Sequence, residues 1–426
     1  MRRSLSYLWV LALNVGLLSA QSVLVVDEAG SPGSVLDVQA AIDLAVDGDL
    51  ILIKPGNYTE FLIRDISITI VADGGLAVFP PAPGFFVGPT LDIRLLAANK
   101  TVNIAGIEIT QGGGAFGLPG ANIFDNEGQI LMRDCSIISP SPRASSMDVV
   151  STQALTLVDV SLDSGLSQMG YSGTDDSHGL VSEDSNLFVY GSTIASGTGQ
   201  EGDFLDGTNG FRGAAGWRIR GGFGLGVRTT VIGGQGGFGG YNGIVCGDGG
   251  TGGPGLELQM GASAPLLVRS NVVAVPGAAG QINPLTPLPA NCGPGEPGVQ
   301  QIVFAGSIDS DPQPNRSLET EYLVRVGEVK NIVFKGAPTD LVWHVFGVQP
   351  ASPVFIPEIT GPLSVGTPNF VRFRGMIPAS GEKALAITVP SQGFDYAVLY
   401  EQAVFYDFTR FHVSNPTFSV ILSDSF

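Results

Sequence analysis

Short apolar runs separated by turn residues dominate the chain, and the pattern is clearest between Asp49 and Gly75. Two runs rich in β-branched residues, Leu50–Ile53 and 66–71, flank a Pro-Gly-Asn turn and a short apolar step at 61–63. Alternating apolar and polar positions in runs this short are typical of half-buried strands. Because turn residues recur too often for helices to fit between them, the segment predicts strand–turn–strand units.

The same unit returns downstream and defines a repeat. Its copies are 103–110, 131–138, 156–163, 188–195, 226–233 and 267–274. Aligning Ile104, Met132, Leu157, Val189, Val227 and Val268 gives spacings of 28, 25, 32, 38 and 41 residues. One unit cannot bury its apolar face alone, so this repeat predicts stacked turns of a solenoid. The side chains expected to face the interior are Ile104, Ile107, Ile109, Leu157, Val160 and Leu162.

One helix is predicted just before Leu50–Ile53, the first strand of the 49–75 segment. Ser34 begins S-V-L-D, which is similar to a capping box because Asp37 follows three residues later. Apolar residues then recur at helical spacing from Val35 to Ala45. The pattern predicts an amphipathic helix at about 35–46, which ends at an Asp-Gly-Asp turn.

The run VQAAIDLAVDGDLILIKPGNYTEFLI (38–63) resembles the opening of right-handed parallel β-helix proteins of the pectin lyase-like superfamily. In those proteins a helix caps the open end of the solenoid, and a strand ending in P-G-x-Y starts the first turn. The resemblance implies an all-β fold, a right-handed parallel β-helix solenoid with an N-terminal capping helix. The superfamily contains lyases, esterases and many proteins without known activity.

Residues 1–20 are predicted to be a signal peptide. Arg2 and Arg3 precede an apolar stretch too short for a stable anchor, and Ala20 offers a small residue for cleavage. No later stretch reaches eighteen apolar residues. The mature chain is therefore expected to be secreted, as an extracellular or cell-surface protein without a membrane span.

Composition divides the rest of the chain into three parts. The β-helix is predicted over 21–280, and a linker rich in Pro and Gly over 281–300. From 301 to 426 strands recur between turn signals at intervals of roughly ten residues, which favours an all-β module resembling a β-sandwich.

The charge balance excludes several partners. The chain has 21 Lys and Arg against 39 Asp and Glu, a net charge of −18, and without Arg2 and Arg3 the balance is 19 against 39, or −20. Such a protein repels nucleic acid and anionic membranes, and also polyuronates unless a divalent cation bridges them. We expect a monomer.

Three cysteines permit one disulfide and leave one thiol. Cys246 and Cys292 both lie in loops rich in Gly and Pro and could pair. Cys135 lies on a predicted strand among apolar residues, where a buried free thiol is expected.

Ten acids and no Lys or Arg lie between Ala144 and Phe211. Carboxylates that converge from loops are the ligands Ca²⁺ prefers, and the alternative is a solvated acidic face. The candidate ligands are Asp175, Asp176, Glu201, Asp203 and Asp206. A second segment, GGPGLELQM (252–260), resembles a calcium-binding nonapeptide, except that Glu257 replaces the usual Asp.

Two further fragments resemble β-helix enzymes. The acids and histidine of TDDSHG (174–179) are similar to those of polygalacturonases, but here only Ser177 separates them. WRIRG (217–221) resembles the Arg-Ile-Lys element of the same enzymes, and pectate lyases use an Arg base beside Ca²⁺. These resemblances imply a set of candidate catalytic residues. They are Asp175, Asp176, His178, Arg218 and Arg220.

Two functions stay open on these observations. The first is an exported, non-catalytic protein that contacts extracellular polysaccharide along the solenoid flank. The alternative is a polysaccharide-degrading enzyme, similar to pectate lyases or polygalacturonases, with its site on the 170–230 loops and Ca²⁺ as its candidate cofactor.

Overall fold

The computed structural model shows an almost entirely β protein with one helix among its described residues. It describes residues 21–74, 77–79, 89–110, 118–139, 144–165, 177–199, 201–202, 208–240, 246–270, 272–279, 281, 293–310, 316–367, 369–390 and 395–426. Within these residues no helix is long and apolar enough to cross a membrane.

The elements up to residue 310 form the first part of the molecule. They are β1 (Val23–Val26), α1 (Val38–Leu44), β2 (Leu50–Ile53), β3 (Gly56–Asn57), β4 (Phe61–Arg64), β5 (Ile68–Ala72), β6 (Ala77–Phe79), β7 (Leu91–Arg94), β8 (Thr101–Ala105), β9 (Ile107–Thr110), β10 (Ala121–Arg133), β11 (Ser136–Ile138), β12 (Met147–Val158), β13 (Ser161–Asp163), β14 (Leu180–Tyr190), β15 (Thr193–Ala195), β16 (Trp217–Val227), β17 (Thr230–Ile232), β18 (Leu256–Gln259), β19 (Leu266–Ser270), β20 (Val273–Val275), β21 (Gln301–Val303) and β22 (Ser307–Ser310).

These strands stack in parallel and form three faces. The first face contains β4, β7, the first halves of β10, β12, β14 and β16, then β18 and β21. The second contains β1, β2, β5, β8, the second halves of the same four long strands, then β19 and β22. The third contains β3, β6, β9, β11, β13, β15, β17 and β20. Successive repeats cross the faces in the same order, so equivalent residues lie side by side.

Residues with positive φ mark the corners between faces. Asp65, Leu95, Asp125, Ser151, Asp184 and Gly221 lie between the first and second faces, and Gly106, Asp134, Asp159, Gly191 and Arg228 lie between the second and third. Gly and Asp tolerate this conformation better than most residues, which explains their frequency here. Buried polar side chains link adjacent repeats just after the corner between the first and second faces. The side-chain amide of Asn126 donates to the Ile93 carbonyl (3.0 Å), and the backbone amide of Thr152 donates to Ser185 Oγ (3.0 Å).

The predicted interior positions are confirmed. Ile104, Ile107, Ile109, Leu157, Val160 and Leu162 are all buried in one continuous apolar core between the faces. The predicted helix is also confirmed, but it is shorter than expected. It begins after Asp37, whose side chain accepts a hydrogen bond from the Gln39 amide, so the N-cap is Asp37 rather than Ser34. Val35 instead bridges to Val26 beside β1.

The register predicted for the later repeats is wrong. Val189 pairs with Gly226, not Val227, and Val268 pairs with Leu225. A side-chain carbon at position 226 would lie 2.8 Å from the Val272 side chain, which would have to shift, and at an ordinary contact distance of 3.6 Å from the buried indole of Trp217. Val227 consequently faces outward, away from the core between the faces.

A C-terminal module, defined as residues 316–426, follows. Its strands are β23 (Ser317–Thr320), β24 (Leu323–Arg325), β25 (Val329–Lys335), β26 (Leu341–Gly347), β27 (Pro350–Val354), β28 (Ile359–Thr360), β29 (Leu363–Val365), β30 (Asn369–Met376), β31 (Glu382–Thr388), β32 (Tyr396–Tyr406), β33 (Phe411–Val413) and β34 (Thr417–Leu422). The antiparallel sheet β23-β25-β31 packs on the sheet β24-β34-β32-β26-β30. Leu318, Phe334 and Phe405 belong to the core between them. β21 and β22 pair in parallel with β18 and β19, so the stacked sheet continues past the predicted linker.

The module docks on the outer side of the second face. Leu52 and Val71 from the stacked strands share one buried cluster with Val345 and Phe418 of the module. Polar contacts cross the same interface: Arg325 pairs with Asp73 (2.6 Å), and the Asn103 amide donates to the Tyr400 hydroxyl (2.6 Å). One flank of the stack is therefore covered by the module, which the strand pattern did not predict.

Candidate functional site

Four of the predicted site residues lie outside the described residues. They are Asp175, Asp176, Asp203 and Asp206. Glu201 is described, and one of its carboxylate oxygens is buried without a hydrogen-bond partner among the described residues. In the described part of the chain no group of three or more His, Cys, Asp or Glu side chains is arranged to hold a metal ion. Calcium binding therefore stays a prediction.

His178 lies just before β14 and is buried, with 2% of its surface exposed. The next repeat encloses it, and its Nδ1 accepts a hydrogen bond from the Ala215 amide (3.0 Å). Burial, reinforced by the positive charge of Arg218, lowers the pKa of the imidazole to about 3. A neutral imidazole with one engaged nitrogen results, and its Nε2 has no hydrogen-bond partner among the described residues.

Arg218 and Arg220 project from the outer side of the first face on β16. Arg218 pairs with Glu257 (3.3 Å), the residue beside it on β18, and Arg212 approaches the other carboxylate oxygen of Glu257 (3.6 Å). Arg220 donates to Gln259 (3.0 Å) and lies 3.8 Å from Glu183. These side chains form one group, here named the arginine cluster. Its members are Glu183, Arg212, Arg218, Arg220, Glu257 and Gln259.

Glu257 changes the interpretation of its segment. It departs from the calcium nonapeptide, and the structure buries it between two guanidinium groups. A carboxylate in that position neutralises arginine instead of binding a cation, since buried charges require close partners. The sequence contained a signal for this pairing, because residues at equivalent positions of adjacent repeats lie side by side.

Three of the five candidate catalytic residues, His178, Arg218 and Arg220, belong to the described residues. His178 lies close enough to Arg218 and Arg220 for their charges to oppose its protonation. Within the described residues, the carboxylate of Glu257 is occupied by arginines and the imidazole is held neutral. The arrangement can bind or orient an anionic group more readily than it can transfer protons.

The cysteines behave as two classes. Cys135 is free and buried, as expected, but it occupies the corner between β10 and β11 rather than a strand. Burial raises the pKa of its thiol to about 12, which makes it unreactive. Cys246 is disulfide-bonded, and Cys292 lies outside the described residues.

A second candidate site, which the sequence interpretation missed, lies on the C-terminal module. Five aromatic side chains from β26, β30, β32, β33 and the turn between the last two form a connected surface. This aromatic surface consists of Trp343, Phe373, Tyr406, Phe408 and Phe411. Ring centroids are 5.2 Å apart for Trp343 and Phe373 and 4.7 Å apart for Tyr406 and Phe411.

The aromatic surface is open to solvent. Phe373 and Phe408 expose 59% and 58% of their surfaces. Strand register places Trp343, Val404 and Phe373 on one side of their sheet. Tyr400 shares that side and contacts the second face. The exposed rings therefore continue the docking side of the sheet. The available sequence signal was a pair of aromatic residues in each of two predicted strands, Trp343 with Phe346 and Phe370 with Phe373.

Comparisons with known proteins do not identify the chain. No family model matches it, and no curated protein matches it. Among solved structures, a superoxide reductase (neelaredoxin) from Ignicoccus hospitalis is similar over 26% of this chain and 80% of that chain, at 12% identity and a TM-score of 0.15. A TM-score this low supports no conclusion about fold or function.

Proposed function

We propose that residues 21–310 form a right-handed parallel β-helix that presents the C-terminal module on its second face. Three parallel faces crossed in a constant order support this proposal. The right hand follows from the strong preference of connections between parallel strands for that hand. The resemblance of residues 38–63 to the pectin lyase-like superfamily points to the same fold.

We further propose that the protein is exported and binds polysaccharide without cleaving it. The predicted leader supports export, and the aromatic surface is the single observation that carries the binding function. Exposed aromatic rings grouped in one patch mark interaction sites, and their flat apolar faces fit the C–H faces of sugar rings. A net charge of −18 favours a neutral polymer over a polyuronate.

The proposed polysaccharide contact lies on the C-terminal module, whereas the sequence predicted contact along the flank of the solenoid. The module covers the second face, so that flank is occupied by protein. The aromatic surface projects from the covering module and stays exposed. We therefore assign polysaccharide contact to the module, with the stacked strands as its support.

Affinity electrophoresis tests this function. Native gels that contain a neutral β-glucan, mannan or xylan should retard the protein, whereas polygalacturonate should not. Replacing Phe373 and Phe411 together by Ala should weaken retention about thirtyfold, because each stacked ring contributes on the order of 1 kcal/mol and the two together about 2 kcal/mol. Phe304→Ala is the matched control, since Phe304 is exposed but lies outside the aromatic surface. Full retention by the double variant, or no retention by any neutral polymer, would refute the proposal.

The enzyme alternative has its own support and its own test. His178, Arg218 and Arg220 all belong to the 170–230 segment, and the charges of both arginines act on the buried imidazole. Incubation with plant and algal polysaccharides, with and without Ca²⁺, should release no new reducing ends and no unsaturated products if the protein only binds. Either product would establish the enzyme instead.

A further inference from the structure

Three rings of the aromatic surface form a row that crosses the strands of their sheet. The strands β30, β26, β32 and β33 lie side by side in this order. Trp343 on β26 pairs with Phe373 on β30 and with Val404 on β32. Tyr406, two residues after Val404, pairs with Phe411 on β33, so all of these side chains project from one side of the sheet. We name Phe373, Trp343 and Phe411 the aromatic row.

The spacing of the aromatic row suits a polymer of sugars. The ring centroid of Trp343 lies 5.2 Å from that of Phe373 and 6.2 Å from that of Phe411. Each separation is close to the length of one sugar unit, which consists of one six-membered ring and one bridging oxygen. A chain that lies along the row can therefore place successive sugar rings against successive side chains.

The rings of the row do not share a plane. The indole of Trp343 is inclined by 47° to the ring of Phe373 and by 59° to the ring of Phe411. Neighbouring strands of a sheet are rotated by about 20 to 25°, which turns the side chains of successive strands relative to one another. No two neighbouring rings of the row can lie flat on the same crystalline face. A single polysaccharide chain can rotate about each glycosidic linkage and follow the turn.

The row is open at both ends. Phe373 is 59% exposed and lies on β30, the edge strand of its sheet within the described residues. Phe411 is 38% exposed, and beyond it Tyr406 and the 58% exposed Phe408 continue the apolar surface. A chain laid on the row can therefore extend past either end, so interior stretches of a long polymer fit as well as its termini.

We propose that the aromatic row binds one polysaccharide chain at a time, in solution or in amorphous material, and does not bind the flat faces of crystalline polymer. This inference rests on the proposed function, because it specifies the form of the neutral polysaccharide that the aromatic surface takes. Trp343 contacts a central sugar ring, and Phe373 and Phe411 contact the rings on either side. Affinity then depends on how many of the three side chains an oligosaccharide reaches.

Calorimetric titration of the complete protein with oligosaccharides of increasing length tests the inference. Fragments of cellulose, mannan and xylan serve as probes. Affinity for the matching series should rise about fivefold for each added unit that reaches another ring, which corresponds to about 1 kcal/mol, and should then stay constant. The longer fragments should also release the protein from the gel-bound polymer. Crystalline cellulose and crystalline mannan should sediment no more of the unaltered protein than of the double variant Phe373→Ala/Phe411→Ala.

The single variants locate the row. Phe373→Ala and Phe411→Ala each remove one end, so affinity should reach its maximum with a shorter oligosaccharide. Phe304→Ala, which alters an exposed phenylalanine outside the aromatic surface, should leave the length dependence unchanged.

Two results would overturn the inference while the proposed function stands. The first is sedimentation with crystalline polymer that the double variant loses and that soluble oligosaccharides do not reverse. The second is retention by a neutral polymer with a length dependence that neither single variant alters. If no neutral polymer or oligosaccharide binds at all, the proposed function fails and this inference fails with it.

Discussion

At the scale of single residues, the adjacent repeat determines chemistry more than the sequence neighbours do. His178 follows two acids and a serine in the chain, which suggests an accessible acid–base group. In the fold, the backbone amide of Ala215 in the next repeat donates a hydrogen bond to its Nδ1, and the ring is buried. Glu257 is a second example. Its segment resembles a calcium-binding motif, but in the fold its carboxylate lies between the guanidinium groups of Arg212 and Arg218.

The pH dependence of stability tests the environment of His178. Its folded pKa of about 3 lies below the unfolded value of about 6.5. Between these values the unfolded chain binds a proton that the folded protein excludes, so stability is complete above pH 6.5 and falls as the pH drops toward 3. We expect the His178 ring resonances not to titrate between pH 8 and 5 by NMR.

The variant His178→Gln should flatten the pH dependence of the unfolding free energy over the same range. A His178 ring that titrates near pH 6.5 would show that the residue is accessible, and the enzyme alternative would gain its acid–base group.

At the scale of elements, α1 closes one end of the stack. Val38, Ala41 and Ile42 are buried in the core shared with the first strands. β1 pairs with one edge of β2, and β5 pairs with the other. Unpaired strand edges promote association with other chains, and the helix and β1 together prevent this.

Deleting residues 21–48 should therefore cause aggregation, because it exposes both the apolar end of the core and the edge of β2. Light scattering at increasing protein concentration measures the effect. Leu44→Ser is the control, since Leu44 belongs to the same helix but is 66% exposed and should leave the protein monomeric. A truncated chain that stays monomeric would show that the end needs no cap.

At the scale of the whole molecule, the module and the stack share one buried apolar cluster and several buried polar contacts. Arg133, on the outer side of the second face, is the main polar link. Its guanidinium donates to the carbonyls of Phe418 (2.8 Å) and Thr320 (2.7 Å) and to the Thr417 hydroxyl, and it is almost fully buried. Removing it would leave these module acceptors buried and unpaired.

We expect Arg133→Met to reduce the free energy of unfolding by about 3 kcal/mol, measured by urea denaturation. Arg64→Met is the matched control, because Arg64 is exposed at the end of β4, and it should change stability by less than about 0.5 kcal/mol. Equal stability of the two variants would mean that the module contributes little to the cohesion of the molecule.

Most of the fold, but less of the candidate site, could be predicted from sequence. The strand units, the interior positions such as Ile107 and Val160, and the helix all follow from local periodicity, which the chain carries by itself. The register failed at Gly226 because glycine carries no apolar side chain to align. The atom closest to a side chain at that position belongs to Val272, 2.8 Å away and 46 residues later in the chain, so the constraint comes from the next repeat.

Tertiary structure alone decided which surfaces remain available. Periodicity shows that a side chain points outward, but it does not show whether another sheet covers it. Leu52 and Val71 face outward and are nevertheless buried in one cluster with Val345 and Phe418 of the module, whereas Phe373 and Phe408 stay exposed. Contacts between residues hundreds of positions apart, such as Asn103 with Tyr400, depend on how the module docks. Local sequence determined the strands and their core, because the hydrophobic pattern acts within each repeat, and docking determined the sites, because they form only where distant segments meet.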